Sequence, residues 1–252
     1  MLEKVTFIFK GERSCDKLNL LINRFNYHYL PEMYIIFEGC RFRLRKDSID
    51  LFQFKPNKER EVLNVMKTIR EGTFIDVGSH VGKYTCVVAK QLEGKGKVIS
   101  IEADPNNFKA LQENIKLNKL KNVEAYNVAA FSENKRIKFY SGSLTEASQS
   151  SAIIKPKNSN IIEVNATRLD SIVKKKKDIT LMKIDVEGAE FEVLKGSREI
   201  LRKAKPILIV ENMYNKIFQK CKEMLVDEFI YLCQNLDGLN YMFRPTDFYE
   251  GE

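Results

Sequence analysis

Residues 74–85 read FIDVGSHVGKYT: an apolar run closed by Asp76, then Gly78 and Gly82 four positions apart. A short apolar run followed by glycine reads as a buried strand, and the residues after Gly82 open a helical pattern. Asp76 is therefore expected at the carboxyl end of a strand, beside a loop whose bare backbone lets a ligand approach closely. The loop Gly78-Ser79-His80-Val81-Gly82 has G-x-x-x-G spacing and not the GxGxxG of dinucleotide binders, so the usual pyrophosphate cradle is missing.

Outward from this stretch the same alternation repeats. Apolar runs occur at Phe74 to Val77, Val98 to Ile101, Val123 to Val128, Leu181 to Ile184 and Pro206 to Val210, and amphipathic segments separate them. One such segment carries Phe108, Leu111 and Ile115 on one face, with Asp104 as cap and Pro105 at the first helical position. Another, Val62, Val65, Met66 and Ile69, has Asn57 as its cap and Gly72 as its stop. A long helix over 214–234 is expected from Ile217, Phe218, Cys221, Met224, Leu225, Phe229, Leu232 and Cys233. Strands apolar on both faces, alternating with helices, mean a doubly wound α/β domain on a parallel sheet. Residues 34–55 alternate polar and apolar around Glu38-Gly39 and Lys46-Asp47-Ser48, as a small antiparallel unit does. The expected organisation is an N-terminal α+β attachment over residues 1–56 and a main domain over 57–252. The polar, serine-rich residues 141–160 break the rhythm, and read either as a surface loop or as a segment that covers a substrate.

Composition narrows the function classes. The 252 residues are 44% apolar and 30% charged, with no apolar stretch long enough to cross a membrane. No secretory leader is evident in residues 1–17, so a cytoplasmic location is expected and Asn165-Ala166-Thr167 is an idle glycosylation site. The five cysteines are scattered and never in a CxxC pair, which argues against a disulfide framework or a zinc site. A formal charge of +8 suits an acidic partner such as RNA, but the dense run Lys174 to Lys177 reads as a solvated helix end in preference to a nucleic-acid patch.

Ligands of open parallel sheets bind beyond the carboxyl ends of the strands. Four of the five runs end in an acid there: Asp76, Glu102, Asp185 and Glu211. Glu102, closing the second run, stands where an acid takes both ribose hydroxyls of an adenosine cofactor. Adenosine without a pyrophosphate cradle points to S-adenosylmethionine, whose ammonium and sulfonium call for acids and not for phosphate-binding donors.

The stretches FIDVGSHVGKYT (74–85), VISIEADPNNFKAL (98–111), NVAAFSE (127–133), TRLDSI (167–172), LMKIDVEGAEFEVLKG (181–196) and PILIVE (206–211) resemble the FkbM family of class I S-adenosylmethionine-dependent methyltransferases. The resemblance covers about residues 55–245, with IDVEGAE its most specific piece. It implies a Rossmann-like class I methyltransferase sheet, with Asp76, Gly78, Ser79, His80 and Gly82 in the first motif and Glu102 and Ala103 beside the ribose. It further implies Asp104 and Asn106 flanking the adenosine, Asn127 and Ala129 near the adenine, and Asp185 and Glu187 where the methionine end meets the acceptor. The acceptors of better-known members are hydroxyl groups, often of sugars or natural products. Two departures stand out: His80 replaces the family's frequent Asn, and the chain after Leu239 leaves little room for the usual antiparallel last strand.

Methyl transfer to an alcohol needs alignment, exclusion of water and a base. Asp185, Glu187 and His80 are the candidates for that base, although Glu187 before Gly188 also reads as a helix N-terminal charge. Asp185 with Glu211 would suit a divalent cation; a metal-free site is the preferred reading. Glu190 and Glu192 read as surface charges. The expected activity is therefore methylation of a hydroxyl on a small molecule or glycan. Two alternatives are an RNA methyltransferase, using Tyr27, Tyr29, Tyr34 and Phe37 among Arg24, Arg41, Arg43 and Arg45, and a non-catalytic binding module. The 214–234 helix and the N-terminal hairpin are both candidate surfaces for a homodimer.

Overall fold

The computed structural model describes residues 6–8, 31–55, 58–142, 150–155 and 159–246. Strands β1 (Thr6–Ile8), β2 (Met33–Phe37) and β3 (Cys40–Leu44) form a small sheet in that order, β1 parallel and β3 antiparallel to β2. Glu38 and Gly39, both at positive φ, make the two-residue turn between β2 and β3 that the sequence signals. The inner side of this sheet buries Ile35 and Phe42 against Val87 of the helix Lys83–Gln91 and Ala110 of the helix Pro105–Leu117. The N-terminal unit thus closes a core that it shares with the main domain.

The five apolar runs form five strands: β4 (Gly72–Val77), β5 (Gly96–Ile101), β6 (Val123–Tyr126), β10 (Ile179–Ile184) and β11 (Ile207–Glu211). They pair in parallel in the spatial order β6, β5, β4, β10, β11. The chain runs from β4 outward to β6 on one side and from β10 outward to β11 on the other, so the order reverses between β4 and β10. That reversal opens a crevice at their carboxyl ends. Between β6 and β10, β7 (Ala129–Ala130), β8 (Lys135–Ser141) and β9 (Asn160–Thr167) add a second small sheet.

At the far edge the structure departs from the sequence reading. Strand β13 (Asn240–Pro245) does fit, inserted antiparallel between β11 and β12 (Tyr231–Asn235). The room comes from the expected helix, which is shorter than its periodicity suggests. It runs over Asn215–Glu223, widens into a π-helical turn at Met224–Glu228 and yields to β12, so Leu232 and Cys233 are strand residues. Pairing with β13, which buries Tyr231 and Phe243, outweighs a helical pattern that happens to continue past the helix end. The early helix is Arg60–Met66, flanked by Glu59; the expected cap Asn57 lies outside the described residues.

Candidate active site

The crevice is an open cleft enclosing about 920 Å³ of empty space, solvent at its mouth included. Its wall includes Asp76, Gly78, Ser79, His80, Glu102, Ala103, Ala129, Asp185 and Glu187 from the sequence-derived set. Four expected members stand back from the wall. Gly82 caps the helix Lys83–Gln91, and Asp104 caps the next helix by accepting the N–H groups of Asn106 and Asn107. Asn106 itself is exposed, and Asn127 donates to the carbonyls of Glu102 and Ala103 at 2.8 and 3.1 Å.

The glycine loop is held by the protein itself. A Cβ on Gly78 (φ 83°) would lie 1.7 Å from the Asp185 carbonyl oxygen, and one on Gly82 (φ 87°) 2.6 Å from Leu111. The bare backbone is thus required first by the neighbouring strand and helix. Asp76, 1% exposed, accepts the Thr85 hydroxyl at 2.6 Å. Glu102 accepts the N–H of His80 at 2.7 Å on one oxygen and that of Asp104 at 2.9 Å on the other. Each oxygen retains a lone pair, and burial pushes the carboxyl up to about 7.

His80 sits in the left-handed region at φ 50°, a conformation in which Asn, Asp and His are enriched among non-glycine residues. Both its ring nitrogens are buried without a hydrogen-bond partner, and burial pushes its pKa down to about 4, so the ring is neutral with one free donor and one free acceptor.

The IDVEGAE turn places the remaining acids. Asp185 ends β10 and pairs with Lys183 at 2.6 Å; burial alone would raise its carboxyl, but Lys183 holds it low. The Asp185 charge is the main cause that pushes its neighbour Glu211 well up, so Glu211 carries the proton of this pair. Glu187, at φ 53°, has a buried Oε2 without a partner and is pushed up to about 8 by burial and then by Asp185. Glu190 is not the surface charge its sequence context suggests. It is 2% exposed and accepts the N–H groups of Val186 and Gly188 at 3.3 and 3.0 Å, fastening the turn. Carboxylate oxygens of Asp185, Glu211 and Glu59 come within 4.8 Å of one another, so the pair considered for a cation gains a third member.

Several wall residues escaped the sequence reading: Gln53, Glu59, Lys83, Tyr84, Asn107 and Lys183. Lys183 interrupts an apolar run and Lys83 follows Gly82, signals that were legible; Glu59 carries none. The described part of the serine-rich segment also reaches the site. Ser150 and Ala152 line the cleft, the Ser151 hydroxyl donates to the Glu187 carbonyl at 2.7 Å, and Ile154 lies against Gly188.

Comparison with known proteins bears on the family and the fold. The family model for the methyltransferase FkbM domain matches residues 76–243, two thirds of the chain. Among solved structures, methyltransferase FkbM from Methylobacillus flagellatus superposes with a TM-score of 0.51 at 18% identity, over 69% of this chain and 44% of that one. TYW2 of Pyrococcus horikoshii in complex with MeSAdo gives 0.50 at 19% identity, over 84% and 69%. The chain thus spans less than half the length of the first, and both likenesses concern the fold. Comparison with curated proteins returns no match. The chain belongs to the FkbM methyltransferase domain family.

Proposed function

We propose that the chain is an S-adenosylmethionine-dependent methyltransferase acting on a hydroxyl group of a small molecule or glycan. The observation that carries the reading is Glu187: a carboxyl on the cleft wall, with one buried, unpartnered oxygen and a pKa pushed up to about 8. A group tuned close to the working pH is an effective acceptor for an alcohol proton. The cleft fits the cofactor by its free valences: the spare lone pairs of Glu102 suit two ribose hydroxyls, and the neutral His80 ring offers a donor and an acceptor nearby.

When bound, S-adenosylmethionine supplies an electrophilic methyl carbon that is transferred by in-line displacement. The residues of the chain do the rest. Glu102 and Ala103 orient the adenosine, with Asp104, Asn106, Asn127 and Ala129 supporting that end. Asp76, Gly78, Ser79 and Gly82 shape the loop beside the methionine end. Asp185, kept ionised by Lys183, sets a negative field at the reacting centre, and Glu187 removes the acceptor proton. Gln53, from the attachment over residues 1–56, reaches the same cleft and contributes to acceptor choice.

An RNA acceptor is the second reading, prompted by the charge of +8. Against it, Arg43 is committed to Glu32 and Glu113, and Arg45 to Asp50; Tyr27, Tyr29 and Arg24 lie outside the described residues. Incubation with methyl-labelled cofactor and either a set of free saccharides or total tRNA separates the readings. Label in saccharides is expected, and label confined to tRNA would overturn the proposal. No helix among the described residues is long and apolar enough to cross a membrane.

A further inference from the structure

Lys83 opens the helix Lys83–Gln91 directly after the glycine loop, and its side chain, 7% exposed, stands on the cleft wall. Its ammonium donates to Glu59 Oε2 at 3.0 Å and to the Tyr84 hydroxyl at 3.3 Å, and that hydroxyl donates to the same Glu59 oxygen at 2.7 Å. Glu59, also on the cleft wall, lies on the turn before the helix Arg60–Met66. Its side chain is 8% exposed and its backbone is left-handed at φ 56°, a conformation uncommon outside glycine. Burying two opposite charges costs about as much in lost hydration as their attraction returns. A strained residue holding such a pair at the edge of a ligand cleft points to a use beyond stability.

The charge balance around the two buried lysines of the described wall separates their roles. Lys183 faces Asp185, Glu59, Glu211 and Asp76, which together more than offset the effect of its burial, so its pKa is raised. Lys83 has one carboxylate partner, Glu59, and two like-charged neighbours, Lys58 and Lys183, and burial leaves its pKa lowered. Lys83 is the cation with an unmet demand for negative charge. The helix it begins adds to that demand, since Gly82 offers no side-chain cap and the first turn holds no acid.

We propose that Lys83 and Glu59 receive the amino-acid end of S-adenosylmethionine, Lys83 taking the carboxylate and Glu59 the ammonium. The proposal rests on the cleft being the cofactor site. A zwitterion carries its two charges on one carbon, and an ion pair 3.0 Å across presents the complementary charges side by side. Docking replaces one internal pair by two crossed pairs and leaves the net charge of the wall unchanged. Asp76, fully buried and bonded to Thr85, then keeps a supporting role beneath the glycine loop.

Calorimetric titration with S-adenosylhomocysteine and with 5′-methylthioadenosine, which keeps the adenosine and thioether but lacks the amino-acid group, tests this. The unaltered protein should bind the first ligand at least about tenfold more tightly. Lys83→Met should weaken S-adenosylhomocysteine by about tenfold or more while leaving methylthioadenosine within about twofold, and Lys83→Arg should keep most of the margin. Retained methylthioadenosine binding also reports that the variant is folded. An unchanged ratio in Lys83→Met and in Glu59→Gln, or an equal loss of both ligands, overturns the proposal alone. Failure of the unaltered protein to bind either ligand overturns the cofactor reading of the cleft and the proposal with it.

Discussion

Glu102 Oε2 accepts the backbone N–H of His80 across 2.7 Å, so the acid that closes β5 and the loop that follows β4 are one unit. The proposed adenosine end of the site and the glycine loop are therefore fastened to each other. Glu102→Gln removes a charged acceptor whose hydrogen bonds contribute roughly 1.5–3 kcal/mol each, and affinity for S-adenosylhomocysteine should fall by about tenfold or more. Because burial raises this carboxyl to about 7, affinity of the unaltered protein should rise between pH 6 and 8. Calorimetry at both pH values checks this, and a flat profile would contradict the ribose assignment.

Thr85, in the first turn of the helix Lys83–Gln91, ties that helix to β4 and β5. Its hydroxyl gives its proton to Asp76, so the Ser100 hydroxyl 2.6 Å away must donate to Thr85. Thr85→Val leaves a buried carboxyl and a buried hydroxyl each short of a partner, at a cost of about 1–3 kcal/mol per group. Denaturant unfolding should show the loss with an unchanged m-value.

Gly78 admits no side chain. At 1.7 Å from the Asp185 carbonyl, the Cβ of an alanine would push β4 and β10 apart at the point where Asp185 is aimed. Gly78→Ala should lower the melting temperature sharply and abolish S-adenosylhomocysteine binding, whereas Gly94→Ala, with open space around the new Cβ but the same positive φ, should cost only about 1 kcal/mol. Equal effects at the two positions would argue against the packing explanation.

The buried acids set a pH dependence of stability. Folding raises Glu102 to about 7 and Glu187 to about 8, above their unfolded values, so the fold binds more protons than the unfolded chain between about pH 4.5 and 8. The stability tied to these protons is present in full below about pH 4.5 and is lost as pH rises through 7 and 8. Asp50 and Glu59, lowered on balance by their cationic partners, act in the opposite sense and weaken the fold as pH falls below about 4. The ligand-free protein should melt at a higher temperature at pH 6 than at pH 9, and Glu187→Gln should reduce that difference.

Turnover should carry the same group with the opposite preference. If Glu187 takes the acceptor proton it must be ionised, so kcat should climb towards a plateau above pH 8. Glu187→Gln should lower kcat by about a hundredfold, at the low end for a general base, with S-adenosylhomocysteine affinity unchanged. Loss of affinity in place of rate would assign Glu187 to cofactor binding.

Local pattern by itself determined the five parallel strands, the helix capped by Asp104 and the row of acids at the strand ends. Each of those signals lies within a few residues along the chain, where apolar periodicity and capping chemistry act. The tertiary structure alone decided the rest. Pairing with Asn240–Pro245 turned Tyr231–Asn235 from helix into strand, and the turn before the helix Arg60–Met66 brought Glu59 against Lys83. These outcomes depend on groups 6 to 24 positions apart whose proximity is set by burial and by the need to pair buried polar atoms, and no repeat in the sequence records that.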